Sequence, residues 1–164
     1  MPSCRPEVIS DVLYKVMEMR SSTVLDVGVC HGKWGVLCDE YLRHWCHVEP
    51  SIDGVEVFGD YKSKAWPVYR NIYIGNIMDF LDIVPNYDLV LIIDVIEHLS
   101  KEDGLKLLAA IKGHYIVSTP NYWNPQPAVG GNEHERHVSL WTPEDFANSQ
   151  IIKGRRQEFI MGWR

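Results

Sequence analysis

The stretch Val24-Leu25-Asp26-Val27-Gly28-Val29-Cys30-His31-Gly32-Lys33-Trp34-Gly35 decides the fold. Its first half is apolar and β-favouring, and its second half is a glycine-spaced turn running into a helical pattern: strand, tight loop, helix N-terminus. Glycines at 28, 32 and 35 let the backbone turn sharply and approach a ligand closely. The helix that follows offers unpaired N–H groups at its start. A dinucleotide loop of the G-x-G-x-x-G type needs glycine at position 30, where this chain has Cys30. A nicotinamide-dependent reductase is therefore the disfavoured use of this turn.

Upstream, Pro6 opens a segment whose Ile9, Val12, Leu13, Val16 and Met17 fall on one apolar stripe, predicting an N-terminal helix within residues 1–20. Thr23 to Gly28, nearly all apolar, is expected to be a central parallel strand covered on both faces. Trp34, Leu37, Cys38, Tyr41, Leu42 and Trp45 then trace one face of a helix from about Gly32 to Trp45, with its tryptophans in the core. Ile52 to Val57, Asn71 to Gly75, Asp88 to Asp94 and Tyr115 to Thr119 predict four more strands. Pro67 limits Tyr61 to Tyr69 to a short helix or an irregular crossover. Asp103 to Lys112 is expected to be a helix with Leu105, Leu108 and Ala109 inward.

Residues 121–140, with Pro125, Pro127, Gly130 and Gly131, lack periodicity and are expected to form a long loop on the substrate side. Thr142-Pro143-Glu144-Asp145-Phe146 reads as a helix start. Ile151 to Lys153 and Glu158 to Trp163 read as short strands around the basic turn Gly154-Arg155-Arg156. The pattern predicts one α/β domain over residues 1–164, a Rossmann-like doubly wound, mostly parallel sheet in a three-layer αβα sandwich.

Composition bounds the function. The 164 residues, 46% apolar and 23% charged, suffice for one core and not two. The net charge of -6 argues against a surface that coats nucleic acid. No run is long enough to span a membrane, and residues 1–20 are too charged for a secretory signal, so the expected location is the cytoplasm. Cysteines 4, 30, 38 and 46 form no C-x-x-C pair or zinc spacing and read as reduced thiols.

In doubly wound sheets, ligands bind outside the carboxyl ends of the strands at the switch point. Asp26, Glu56, Asn76 and Asp94 end four apolar strands at that edge. Glu56, 24 positions after Gly32, is the expected acceptor for ribose hydroxyls, the usual separation being about 20 residues. Glu49 and Asp53 compete less well, since neither closes the strand.

Asp26, Gly28 and Gly32 resemble motif I, E/D-x-G-x-G-x-G, of the class I S-adenosylmethionine-dependent methyltransferases, with Cys30 as the departure. Asp94-Val95-Ile96-Glu97-His98-Leu99 looks like the D/E-V-x-E-H-h segment of a large group among them, of types 11, 12 and 23. That group includes ubiquinone-pathway O-methyltransferases and small-RNA 3′-terminal 2′-O-methyltransferases. Thr119-Pro120-Asn121 and His137-Val138-Ser139-Leu140-Trp141 extend the likeness, which runs from residue 23 to about 146.

The resemblance implies methyl transfer from S-adenosylmethionine, with S-adenosylhomocysteine as product, to an O or N atom of an acceptor. It implies cofactor contacts from Asp26, Gly28, Cys30, Gly32, Glu56, Asn76, Ile77 and Asp94. His98 is the expected acid/base group, assisted by Glu97, and Tyr122, Trp123 and His137 are the expected substrate wall. The chain has no room for a separate substrate domain, so the expected acceptor is a small molecule, or a homodimer or other partner completes the site. A cofactor-binding module without activity is the rival from another class.

Asp94, Glu97 and His98, spaced i, i+3 and i+4, share one side of a helical turn. Two carboxylates and an imidazole suit a divalent cation, with His137 or His134 completing the set as in the metal-using RNA relatives. Those relatives usually carry glutamate where this chain has Asp94. The same residues also serve without a metal: Asp94 on the cofactor, Glu97 at a helix start, His98 packed or shuttling protons. The acidic net charge favours this second use and a small-molecule acceptor over RNA.

Overall fold

The computed structural model describes residues 6–146, 149–153 and 159–164, with 151–153 and 159–162 as backbone. Cys4 and the basic turn at 154–156 lie outside the described residues. Helix α1 (Pro6–Met19) buries Val8, Val12, Leu13 and Val16, with Ile9 and Met17 at the margin of the stripe. Then follow β1 (Thr23–Val27), α2 (Lys33–Glu40), β2 (Ser51–Glu56), β3 (Asn71–Ile74), β4 (Leu89–Ile93), α3 (Lys101–Ala110), β5 (His114–Pro120), β6 (Gln150–Lys153) and β7 (Phe159–Trp163). Each strand boundary falls within one residue of its sequence expectation.

The seven strands lie in the order β3-β2-β1-β4-β5-β7-β6. The first five are parallel, and β7 inserts antiparallel between β5 and β6. The chain reverses its direction of travel between β1 and β4, so the switch point lies between their carboxyl ends. Alternate strand residues feed two cores. Val24, Ile52, Leu89, Leu91, Ile93 and Ile116 pack beneath α1 and α2. Leu25, Val27, Val55, Val90, Ile92 and Val117 face α3 and short 3-10 turns.

Three expectations are corrected. Trp45 is 74% exposed. At Tyr41–Trp45 the helix widens into a π turn, the Cys46 N–H donating to the Tyr41 carbonyl at 3.0 Å, which rotates Cys46 into the core in place of Trp45. In α3 the buried residues are Gly104 and Leu107, with Leu108 partly buried against the same core as expected, while Leu105 and Ala109 are exposed. After Thr142 the described chain makes a 3-10 turn, Pro143–Phe146, and not an α-helical one.

Both competitors of Glu56 are spent elsewhere. Asp53 is fully buried and accepts hydrogen bonds from the Tyr87 hydroxyl (2.7 Å), the Asn71 N–H (3.0 Å) and the Arg70 guanidinium. Exposed Glu49 pairs with Arg43. Among the described residues no helix is long and apolar enough to cross a membrane, and no disulfide links Cys30, Cys38 and Cys46.

Candidate active site

A cavity of about 450 Å³ opens at the switch point, a volume in the range of about 300–1,000 Å³ usual for small-molecule sites. Its floor is the end of β1 and the loop after it. Gly28 has φ of +80°, and a Cβ there would lie 2.5 Å from Cγ2 of Val95, so the loop and the β4 end come together only through glycine. Cys30 (φ 49°) and Asp94 (φ 53°) are left-handed non-glycine residues, and both line the cavity. Backbone strain of this kind collects at functional sites.

Glu56 closes β2, is 4% exposed and lines the cavity. Its Oε2 accepts the Cys30 N–H at 2.7 Å and its Oε1 the Phe58 N–H at 2.8 Å. The carboxylate thus shapes the glycine loop while each oxygen keeps a lone pair for a hydroxyl donor. Burial raises its pKa. Asn76 Oδ1 accepts the Met78 N–H at 3.0 Å, which leaves the amide NH₂ as the group to offer a ligand. Ile77, 4% exposed, is the apolar wall beside it.

Asp26 and Gly32 stand behind this surface and do not line the cavity. Asp26 Oδ2 accepts the Tyr69 hydroxyl at 2.5 Å, and the Tyr69 oxygen accepts the Gly35 N–H at 2.9 Å. Burial pushes the Asp26 carboxyl up to about 7. Its role in this fold is to brace the first turn of α2, and Tyr69 is the partner the sequence reading missed. Gly32, at φ +85°, caps α2 against Ala65.

The far wall gathers Glu97, His98 and His137, whose ligating atoms all lie within 4.8 Å of one another. Asp94 lies outside that cluster, with Oδ1 accepting from the Ser118 hydroxyl at 3.0 Å. Glu97 is 3% exposed, and its Oε2 has no hydrogen-bond partner among the described residues. Burial, then the neighbouring Asp94 charge, raises its pKa well above the carboxylate range. His98 Nδ1 lies 3.0 Å from the Arg136 carbonyl. A carbonyl only accepts, so Nδ1 carries the proton and Nε2 keeps the lone pair. Burial lowers the pKa of His98 and, with the His98 charge next in order, that of His137. The two rings meet edge to face at 4.8 Å.

The long loop roofs the cavity with Asn124, Gln126, Asn132, His134, Glu135 and His137. Tyr122 and Trp123 are 42% and 54% exposed and lie outside the cavity lining, because the chain bends just after Pro120 and the lining resumes at Asn124. Glu135 was not foreseen. The Tyr61 hydroxyl donates to its Oε1 at 2.8 Å, Gln126 Nε2 donates to its carbonyl at 2.8 Å, and Asn132 Nδ2 donates to the Tyr61 oxygen at 3.2 Å. Tyr61 and Glu135 are 74 residues apart, so no local pattern announces the pair.

No protein-family model matches the sequence, and no curated protein matches it significantly. Solved structures match the fold. The methyltransferase domain of a bacterial protein, CtHen1-C, superposes with a TM-score of 0.65 at 18% identity over 96% of this chain and 95% of that one. The PH0226 protein of Pyrococcus horikoshii gives 0.66 at 16% identity over 96% and 87%. The 1,6-didemethyltoxoflavin-N1-methyltransferase of Burkholderia thailandensis, solved with bound 1,6-didemethyltoxoflavin and S-adenosylhomocysteine, gives 0.60 at 16% identity over 97% and 76%. Against larger matched chains from Nostoc punctiforme and Burkholderia thailandensis, this chain spans 55% and 56% of their length. The fold is that of the class I methyltransferases.

Proposed function

We propose that the chain is an S-adenosylmethionine-dependent methyltransferase acting on an O or N atom of a small molecule. One observation carries the reading: a single cavity at the switch point joins the glycine turn and the strand-end Glu56 to the buried Glu97-His98-His137 cluster. The residues fit that cofactor. Glu56 retains acceptor capacity for ribose hydroxyls, Asn76 an amide donor for a base edge, and Ile77 an apolar face. The unpartnered Glu97 Oε2 marks where a polar group is wanted.

S-adenosylmethionine supplies a methyl on a sulfonium sulfur; the acceptor's lone pair makes the new bond to carbon while sulfur keeps the electron pair of the old one. The protein's part is alignment, exclusion of water and acceptance of the acceptor's proton. His98 suits the last task, since its Nδ1–H is fixed on Arg136 and its Nε2 lone pair is the remaining basic site. Glu97, held near protonation by burial and Asp94, is the adjoining proton store. The loop excludes water through the Tyr61–Glu135 contact across the cleft.

A second reading rests on the convergence of Glu97, His98 and His137, which could ligate a divalent cation beside vicinal hydroxyls. It would bring the chain toward 2′-O-methylation of RNA ends, and the CtHen1-C match is consistent with it.

Calorimetric titration with S-adenosylmethionine and S-adenosylhomocysteine tests the main reading. One-site saturable binding is expected, weakened about 10- to 100-fold by Glu56→Ala through loss of charged hydrogen bonds. Absence of binding in a folded protein, or binding indifferent to Glu56, would overturn it.

A further inference from the structure

Two sets of hydrogen bonds hold the roof of the cavity to the rest of the chain. On one side the Arg136 carbonyl meets His98, and the Val138 and Ser139 N–H groups meet the Glu97 carbonyl. On the other, Tyr61 reaches across the cleft, its hydroxyl donating to Glu135 Oε1 at 2.8 Å and accepting from Asn132 Nδ2 at 3.2 Å. In between, the roof is bonded to itself: Gln126 Nε2 donates to the Glu135 carbonyl at 2.8 Å, and the His137 N–H to the Gln126 carbonyl at 3.2 Å. Tyr61 belongs to the cofactor wall. Its 3-10 turn, Gly59–Tyr61, follows β2, and Phe58, whose N–H donates to Glu56, meets the Tyr61 ring edge-on at 5.0 Å. From the glycine loop, His31 Nδ1 donates to the Tyr61 carbonyl at 3.1 Å, with the two rings 5.4 Å apart. The backbone and ring of Tyr61 are thus fixed on the wall, and its hydroxyl is what holds the roof.

We propose that Tyr61 is a positioning residue that latches the roof to the cofactor wall and thereby sets the rate at which S-adenosylmethionine enters and S-adenosylhomocysteine leaves. This rests on the cofactor reading above. The bridge joins the protein to itself and not to a ligand, so its strength governs the opening of the roof and leaves the ligand's own contacts alone. A hydrogen bond of this kind shifts such an opening equilibrium about three- to tenfold. It needs an oxygen acceptor at position 135, which a carboxyl and an amide supply equally. Where product release waits on opening, the latch also limits turnover.

The test is rapid mixing with S-adenosylhomocysteine, followed by tryptophan fluorescence, since Trp34 lines the cavity. Tyr61→Phe keeps the ring against His31 and Phe58 and loses the bridge. It should raise the association and dissociation rates together, each about three- to tenfold, so that their ratio, the affinity, stays within about twofold of wild type. Glu135→Ala should do the same, and the double variant should match Tyr61→Phe, because one bridge can be lost only once. Glu135→Gln keeps the acceptor and should exchange at the wild-type rates. Unchanged rates in Tyr61→Phe overturn the inference alone, as does weakened affinity with unchanged association, which would mean that the hydroxyl touches the ligand. Additive effects in the double variant, or Glu135→Gln exchanging as fast as Glu135→Ala, overturn it too. No binding by the folded wild-type protein overturns the cofactor reading with it.

Discussion

Asp26 sits between a conformational need and an electrostatic cost. The ring of Tyr69 reaches it because position 35 is glycine: a Cβ there would lie 2.3 Å from the Tyr69 ring. The resulting hydrogen bond is short, yet Oδ1 has no hydrogen-bond partner among the described residues and burial pushes the carboxyl pKa up to about 7. An acid with a raised folded-state pKa binds its proton more tightly folded than unfolded. From the ordinary 3.8 up to about 7 the folded chain therefore keeps a proton the unfolded chain has lost. Stability falls across that window as pH rises, and the loss is complete above it. Asp26→Asn keeps the acceptor for Tyr69 and removes the titration. Its melting temperature should overtake that of wild type progressively across this pH range; parallel profiles would show that Asp26 does not titrate there. Sequence reading placed Asp26 at the cofactor because the motif gives position and not direction. The side chain turns to the α1–α2 side of the sheet, and only Tyr69, 43 residues away, reveals that.

At the scale of elements, α3 is a platform for the chain that returns from the loop. Trp141 is fully buried against it, with Nε1 donating to the Ile96 carbonyl at 3.1 Å and to the Ser139 hydroxyl at 2.8 Å. Lys101 Nζ stands 4.0 Å over the ring. The Val138 and Ser139 N–H groups meanwhile donate to the Glu97 carbonyl at 2.9 and 3.2 Å, so this docking sets the far wall of the cavity. Gly104 is what admits the indole: a Cβ there would lie 2.4 Å from Cζ2 of Trp141. Gly104→Ala gains about 1 kcal/mol of helix propensity against an overpacking cost of about 1–3 kcal/mol. The net is a lower melting temperature by a few degrees, whereas a rise in a thermal melt would mean that the indole moves aside freely. This glycine also explains the misread helix face. Apolar periodicity gives glycine no weight, so Leu105 was drawn inward where Gly104 and Leu107 belong. The strands were legible because the central ones are buried on both faces and so read as short, nearly continuous apolar runs. The π turn was not, since its extra residue breaks the period that a helical face is read from.

For the whole molecule, the sheet carries a separate core on each face, and the cavity lies where both end, at the carboxyl edge of β1 and β4. One wall comes from the first half of the chain and the roof from residues 124–137. The first wall could be read from sequence, since Glu56 and Gly28 sit at fixed intervals in a strand–turn–helix. The roof could not, because Glu135 meets Tyr61 across 74 residues, through packing that no local pattern announces. A ligand that bridges wall and roof binds the folded chain and not the unfolded one, so it should stabilise the whole. At about 100 times its dissociation constant, S-adenosylmethionine should add about 2.7 kcal/mol, a rise in melting temperature of roughly 5–10 °C for a domain of this size. Manganese added to chelator-stripped protein separates the two readings of the Glu97-His98-His137 cluster. A further rise that disappears in His137→Ala would assign the cluster to a cation and direct the acceptor search to vicinal hydroxyls. A melt unmoved by the metal, but raised by the cofactor, would leave His98 and Glu97 as the groups that take the acceptor's proton.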